Sequence, residues 1–261
     1  MTSYHGGKQK IGKRIADEIF ENVVTHPRWD VTQLKGYCEP FCGMLGVYRH
    51  IAPLLKQLLN PTRWAPFKAG DYNKSLILMW QKAQKGWNPP TTCTEKKYND
   101  LKEQTRASAE KGFIGHQYSF AGQYFKGYRG IYGNKGEYAK ASENVSDIAS
   151  ELKDVAFTQG RYTQFSRLKN YIIYCDPPYT DNSKSYYFDE EHTRLTFDHI
   201  EFWEWCLKMS KHNIVFVSEY TCPKQFEKDK RIKKVYEKNV KLSGASPVQR
   251  KRKEKLYIIV D

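Results

Sequence analysis

The stretch Tyr171-Ile172-Ile173-Tyr174-Cys175-Asp176-Pro177-Pro178-Tyr179 decides the fold class of this chain. Its first five residues form a continuous apolar run, which is typical of a strand buried on both faces of a parallel sheet. A proline cannot donate to a strand ladder, so the strand is predicted to end at the Asp-Pro step. Asp176 is thereby predicted to lie at the carboxyl end of a buried strand, where open α/β sheets bind their ligands.

Outward from this run, short apolar segments alternate with segments of helical periodicity. Predicted strands span 36–41, about 64–71, 155–158, 171–175, 213–218, 235–240 and 256–260. Predicted helices span 11–24, 43–59 with a break near Pro53, 75–85, 144–152 and 196–211. This alternation predicts an open, mostly parallel sheet with helices on both faces and a final strand pair.

Two more acidic residues are predicted at strand ends, in two other strand–helix units. Glu39 ends the first predicted strand and Asp71 ends the second. The chain has no G-x-x-x-x-G-K-[ST] segment, so a phosphate-binding P-loop is not supported. The segment 39–46, EPFCGMLG, supplies glycines that let a ligand approach the backbone, although an ordinary turn before a helix explains that segment equally well in isolation.

Residues 88–150 differ in composition from the rest of the chain. They are rich in Gly, Tyr and Lys, and the stretch 118–132 interleaves aromatic with basic side chains, unlike a conventional core segment. We therefore predict a small inserted lobe at 88–150, between a first part of the main domain at 1–87 and a second part at 151–261.

Charge and composition narrow the class of protein. The net charge is +14, and an acidic segment at 141–221 lies between basic ones. A basic surface is the usual electrostatic footprint of a nucleic-acid partner, but a solvated basic face explains the charge about equally well. No apolar run is long enough to span a membrane, no secretory signal is visible, and no Cys or His spacing indicates a metal site. We expect a soluble cytoplasmic protein with no membrane and no metal partner.

Four segments together resemble Dam-type (D12 class) DNA adenine-N6 methyltransferases. Residues 4–8, YHGGK, resemble the aromatic-x-Gly-Gly-Lys motif of this family, and 39–43, EPFCG, its cofactor loop. Residues 71–73, DYN, are similar to its acidic segment, and 176–179, DPPY, match its catalytic tetrapeptide. The segments follow the family order over most of the chain. One departure is Met44-Leu45, where the family usually has another small residue and a glycine.

The resemblance implies a Rossmann-like, S-adenosylmethionine-dependent methyltransferase fold, with a mostly parallel sheet, a C-terminal antiparallel strand and an inserted DNA-recognition lobe. It implies S-adenosylmethionine as the cofactor. Asp71 would accept hydrogen bonds from the ribose hydroxyls, Lys8 would pair with the methionine carboxylate, and Glu39 would help to hold the amino-acid portion. The implied cofactor-binding residues are Tyr4, Gly7, Lys8, Glu39, Phe41, Gly43, Asp71 and Asp176.

The resemblance also implies which groups act on the substrate, a flipped-out adenine of double-stranded DNA. The Asp176 side chain and the Pro177 carbonyl would accept the N6 amine, Pro178 would help to hold the loop rigid, and Tyr179 would stack on the base. In the lobe, the implied DNA-binding residues are Tyr124, Lys126, Tyr128, Arg129 and Lys135. For any one of them, an ordinary tyrosine-rich hairpin is an equally good interpretation.

Residues 218–223 and 254–256 resemble tail features of phage and viral members. A viral protein would act in the host nucleus or in a virus factory. The alternative biological context is a restriction-modification system. Alternative functions are methylation of cytosine N4 or of adenine in RNA, a catalytically weak relative that only binds DNA, and a structural DNA-associated protein.

Overall fold

The computed structural model describes residue 4 and residues 6–59, 67–129, 135–179, 196–241 and 251–261. Within these residues the helices are α1 Gly12–Thr25, α2 Tyr48–Leu58, α3 Lys74–Ala83, α4 Glu95–Glu103, α5 Ala109–Gln117, α6 Lys135–Ser150 and α7 His199–Met209. The strands are β1 Gly36–Glu39, β2 Phe67–Asp71, β3 Val155–Gln159, β4 Tyr171–Cys175, β5 Ile214–Glu219, β6 Ile232–Lys241 and β7 Lys251–Ile259.

The strands of the described residues form one seven-stranded sheet in the order β3-β2-β1-β4-β5-β7-β6. The first five in this order pair in parallel, whereas β7 runs antiparallel to β5 and β6 antiparallel to β7. This arrangement confirms the predicted Rossmann-like α/β class, the mostly parallel sheet and its antiparallel C-terminal end.

The strand order reverses between β1 and β4, which are neighbours in the sheet. From β1 the chain moves outward to β2, whereas from β4 it moves to the opposite side, to β5. Connections therefore leave this point in opposite directions and open a crevice at the carboxyl ends of the strands, where ligands bind in such sheets. Glu39 is the last residue of β1, and Asp176 directly follows β4, so both lie at this crevice.

The alternation of side chains along the strands divides the described core into two clusters. Ile172 and Tyr174 of β4 point into the larger cluster with α1 to α6, and Ile173 and Cys175 into the smaller one with α7. A strand covered on both faces reads as an unbroken apolar run, because neither face needs polar residues. This explains why the segment 171–175 was recognisable in the sequence.

The expectation that the aromatic segment after residue 117 lies outside the core is wrong. Tyr118 and Phe125 are buried in the same cluster as the sheet and α3. α5 lies against α3 so closely that a Cβ on Gly112 would be 2.2 Å from the Ser75 carbonyl oxygen. Tyrosines supply large apolar faces to a core while their hydroxyls find polar partners, so a Tyr- and Gly-rich composition is compatible with burial. The limits of the lobe at 88 and 150 remain a prediction.

Three helix starts differ clearly from the sequence prediction, and one of them is that of α6, which begins at Lys135 rather than at residue 144. α2 begins at Tyr48 rather than at residue 43, because Gly43 and Leu45 both have left-handed φ values, of +45° and +53°, which a helix excludes. The helix then continues through Pro53 without the predicted break. α7 begins at His199, where the Asp198 side chain accepts hydrogen bonds from two backbone N–H groups and thereby caps the helix.

Candidate active site

A buried ion pair joins the N-terminal motif to the loop after β4. The Nζ atom of Lys8 lies 2.7 Å from Oδ1 of Asp176 and 3.8 Å from Oε1 of Glu254, and it donates to the Gly6 carbonyl at 3.0 Å. The lysine is only 6% exposed. Burial by itself lowers the pKa of Lys8, but the charges of the two carboxylates outweigh this, so its pKa is raised and the ammonium is retained.

Tyr179 contacts both Lys8 and Glu254 of this ion-pair cluster. Its hydroxyl donates a short hydrogen bond to Oε1 of Glu254, and its ring centroid is 4.7 Å from Nζ of Lys8, within cation–π distance. Tyr220 meets the Tyr179 ring edge-on at 4.4 Å, and the Arg252 guanidinium covers the Tyr220 ring at 5.1 Å. The orientation of Tyr179 is therefore fixed by a hydrogen bond, a cation and a second ring.

Burial raises the pKa of the Asp176 carboxyl, while the charge and hydrogen bond of Lys8 oppose that rise. Burial also raises the pKa of Glu39 to about 8, against a hydrogen bond that its Oε1 accepts from the Tyr37 hydroxyl at 2.7 Å. At neutral pH Glu39 is therefore mostly protonated. Asp176, at the end of the neighbouring strand, has the Lys8 ammonium beside it. The two acidic residues that the sequence places at neighbouring strand ends thus differ in charge.

The pKa of Glu39 predicts a specific pH dependence of stability. Its pKa in the folded protein lies above the usual value of 4.5, so its contribution to stability is complete below pH 4.5 and is lost as the pH rises through about 8. We expect the melting temperature of Glu39→Gln to exceed that of the wild type at pH 9 by more than it does at pH 6. Thermal unfolding of both proteins at the two pH values checks this, and a difference independent of pH would contradict it.

The loop after β1 is tied to the end of β2 by the Asp71 carboxylate. Oδ2 of Asp71 accepts from the Gly43 N–H at 3.1 Å, and Oδ1 accepts from the Asn73 N–H at 3.0 Å. The Gly43 carbonyl accepts from the Trp80 indole at 2.9 Å. Burial raises the pKa of Asp71 to about 6, against these backbone hydrogen bonds. Gly43 has a positive φ and contacts Tyr4, since a Cβ there would be 2.9 Å from the tyrosine ring.

The aromatic ring of Tyr4 links the N-terminal motif to α5. Its centroid lies 4.7 Å from the ring of His116 in α5, which lies 4.9 Å from the ring of Tyr124. Phe41 lies on the other side of the sheet, where it stacks on Tyr162 at 5.6 Å. The predicted cofactor-binding residues therefore occupy more than one place: most surround the ends of β1, β2 and β4, Phe41 packs into the smaller cluster, and Gly7 is exposed.

The predicted DNA-binding residues have different surroundings. Tyr124 is buried, and the half-buried Tyr128 donates its hydroxyl to the Cys93 carbonyl at 2.6 Å. Arg129 pairs with Glu137 at 2.7 Å and remains about one-third exposed, and Lys126 is exposed. The Lys135 backbone begins α6, but its side chain lies outside the described residues.

Glu254 and Tyr220 are site residues to which the sequence analysis gave no role. Their positions were noted only as parts of tail segments. No local signal marks Glu254, because its neighbours Lys253 and Lys255 are basic and indicate an exposed segment, whereas the structure buries its side chain.

No group of three or more His, Cys, Asp or Glu residues that could hold a metal ion is found in the described ranges. Among the same residues, no helix is long and apolar enough to cross a membrane.

The family model for D12 class N6 adenine-specific DNA methyltransferases matches residues 116–256, which is more than half of the chain. The match includes the segment from Asp176 to Tyr179 and Glu254. No curated protein matches the chain in sequence.

Several solved structures are loosely similar to the chain. YhhF from Escherichia coli, described as a methyltransferase, is 9% identical with a TM-score of 0.38, covering 97% of this chain and 88% of its own. An rRNA methylase from Streptococcus thermophilus is 8% identical with a TM-score of 0.36, covering 95% of each chain. Because these superpositions are loose, the family model rather than any of these structures identifies the chain.

Proposed function

This chain belongs to the D12 class of N6 adenine-specific DNA methyltransferases, and we propose that it methylates N6 of a flipped-out adenine in double-stranded DNA. The family makes it an S-adenosylmethionine-dependent methyltransferase. The observation that carries the finer proposal is the position of Asp176, a largely buried carboxylate directly after β4 at the reversal of strand order, followed by Pro177, Pro178 and Tyr179.

The residues at the ends of β1 and β2 fit the cofactor. S-adenosylmethionine supplies an electrophilic methyl group on a sulfonium when it is bound. Each oxygen of Asp71 accepts one backbone N–H in the described contacts and has a further lone pair, which suits a ribose hydroxyl. Lys8 is a buried cation beside this point, with its Nζ bound to Asp176. Gly43 is buried, has a left-handed φ and lies against the Tyr4 ring, so the loop after β1 is held close to these residues.

Cofactor binding should depend on the ionisation of Asp71. Its pKa of about 6 means that the carboxylate is lost as the pH falls below that value. We expect the Kd for S-adenosylmethionine to rise about tenfold per pH unit below pH 6, as required when a ligand binds only the ionised form. Calorimetric titration from pH 5 to 8 measures this. Asp71→Asn should bind weakly with little pH dependence in that range, and a wild-type affinity that is constant down to pH 5 would contradict the role.

The proposed chemistry needs acceptors rather than a general base. The adenine amine is a poor nucleophile because its lone pair is delocalised into the ring. The Asp176 carboxylate and the Pro177 carbonyl would accept its two N–H groups and favour a pyramidal nitrogen. The nitrogen lone pair forms the new N–C bond as the methyl–sulfur bond breaks, and the amine then gives up a proton. Tyr179, fixed by Glu254 and Tyr220, would stack on the base and offset part of the lost base stacking.

We propose that the lobe at 88–150 binds DNA. Of the predicted DNA-binding residues, Lys126 is an exposed cation and Arg129 is a partly exposed one. Tyr128 lies beside them, whereas Tyr124 supports the lobe from within. The contact of His116 with Tyr4, at 4.7 Å between ring centroids, supports a lobe that lies next to the proposed cofactor site. The division into a catalytic domain at 1–87 and 151–261 and this lobe is part of the same proposal.

The experiment that tests the proposed function measures the methylated base directly. Purified protein is incubated with S-adenosylmethionine and unmethylated duplex DNA, the DNA is digested to nucleosides, and mass spectrometry identifies the product. N6-methyladenine made from duplex DNA supports the proposal. N4-methylcytosine, or product from RNA alone, would replace it with one of the alternative substrates.

A further inference from the structure

One ammonium group faces two buried carboxylates at unequal distances. Lys8 Nζ is 2.7 Å from Asp176 and 3.8 Å from Glu254, so the lysine is bound to the first and within ion-pair distance of the second. The family and the proposed chemistry assign a task to Asp176 but none to Glu254. Both carboxylates and the lysine are poorly accessible to solvent, with side-chain exposures of 6% for Lys8, 17% for Asp176 and 6% for Glu254.

The ion pair seen here conflicts with the proposed transfer step. An oxygen of Asp176 that accepts the ammonium of Lys8 is not free to accept the N–H of an adenine amine in the same direction. An amine that uses this oxygen, on the side where Lys8 lies, therefore has to displace Lys8 from it. A buried ammonium that loses its counter-ion is strongly destabilised, so the displacement is slow unless a second anion is already in place.

Glu254 is placed to be that second anion. A shift of Nζ by roughly an ångström closes the 3.8 Å gap to hydrogen-bond distance, a movement that a lysine side chain makes by small torsional changes. The Glu254 carboxylate is held in position by the hydroxyl of Tyr179 and by its place in β7, paired with β6. Nζ lies 4.7 Å from the centroid of the Tyr179 ring, whose hydroxyl is bound to Glu254.

We propose that Glu254 is a positioning residue, which receives the Lys8 ammonium when the target amine occupies Asp176 and which keeps Tyr179 oriented for the base. The inference rests on the proposed methyl transfer. In this scheme the ammonium is never without a carboxylate partner, and Asp176 becomes a free acceptor only when the base arrives. Glu254 touches neither the substrate nor the cofactor; it acts through Lys8 and Tyr179.

The first test replaces the charge but keeps an acceptor for Tyr179. We expect Glu254→Gln to lower the single-turnover rate of methyl transfer about tenfold or more, because Lys8 then has no second anion and stays on Asp176. The Kd for S-adenosylmethionine should stay within about twofold, since the Asp71 contacts are unchanged. Glu237→Gln is the matched control: this glutamate belongs to the same hairpin, pairs with Lys234 and Lys253 on the surface, and should leave the rate unchanged.

A double-mutant cycle separates positioning through Lys8 from a general structural effect. If Glu254 acts through the ammonium, its replacement should cost less than about twofold in a Lys8→Met background, measured at saturating cofactor. If the Lys8→Met proteins do not fold, Tyr179→Phe decides, since it should slow transfer less than Glu254→Gln does.

The outcomes distinguish this inference from the proposed function. A wild-type rate in Glu254→Gln, or the same loss in both Lys8 backgrounds, overturns the role of Glu254; the former would follow if the cofactor carboxylate, rather than Glu254, received Lys8. A product other than N6-methyladenine overturns the proposed substrate while leaving the rate comparison valid. A wild-type protein that methylates no nucleic acid overturns both.

Discussion

Asp176→Ala is expected to lower the rate of methyl transfer about 1,000-fold or more, because it removes a preorganised acceptor from the proposed amine site. The fold should survive, since Lys8 retains Glu254 within ion-pair distance, at 3.8 Å. The rate is measured with tritiated S-adenosylmethionine and duplex DNA, and the fold by circular dichroism and thermal unfolding.

Two further variants make this test specific. Asp176→Asn keeps the shape and one carbonyl acceptor but loses the charge, so we expect a loss smaller than that of the alanine variant. Asp17→Ala removes an aspartate from a surface pair with Lys13 on α1 and should leave the rate unchanged. Near wild-type transfer by Asp176→Ala would refute the proposed mechanism.

Lys8→Met is expected to cause the largest loss of stability among these substitutions. It leaves Asp176 and Glu254 buried together without a cation, which typically costs about 3–5 kcal/mol. In a chain of this size such a loss corresponds to a fall in melting temperature of roughly 10 °C. Burial raises the pKa of both carboxyls, so both take up protons as the pH falls and the cost decreases. The destabilisation should therefore be larger at pH 8 than at pH 5.

Thermal unfolding at the two pH values, compared with Lys13→Met, checks this prediction. Lys13 is 75% exposed in its pair with Asp17, and its replacement should change stability by less than about 0.5 kcal/mol. Adding Glu254→Gln to Lys8→Met should restore part of the lost stability, because one of the two uncompensated charges is removed. An equal melting temperature for Lys8→Met and the wild type at pH 8 would show that the buried ion pair contributes nothing net.

The strand ends could be predicted from sequence because their signals are local. An apolar run bounded by Asp-Pro identified β4, and the position of Asp176 after it follows from the chain itself. The prediction of α2 failed at its start for the opposite reason. Residues 43–47 are buried and compatible with a helix in composition, but the tie between Gly43 and Asp71 holds them as a loop, and that contact spans 28 residues.

The aromatic segment after residue 117 shows the same limit on a larger scale. Its composition indicated a segment outside the core, yet Tyr118 and Phe125 are buried with α3. Whether a tyrosine faces solvent or core depends on which surface lies opposite it, and that surface belongs to another part of the chain. Likewise, the sequence marked Tyr124 for DNA contact, whereas the packing against His116 places it inside.

The sequence by itself determined the class of fold, the family motifs and the carboxylates that end β1, β2 and β4, because strand period, proline and motif order act within a few residues. Tertiary structure decided how readily each of those carboxylates ionises. Burial raises the pKa of Glu39 to about 8, whereas Asp176 has the Lys8 cation beside it. It also brought Glu254 to the candidate active site, where it contacts Tyr179 across 75 residues of chain. Ionisation depends on desolvation and on neighbouring charges, which exist only once distant segments have packed together.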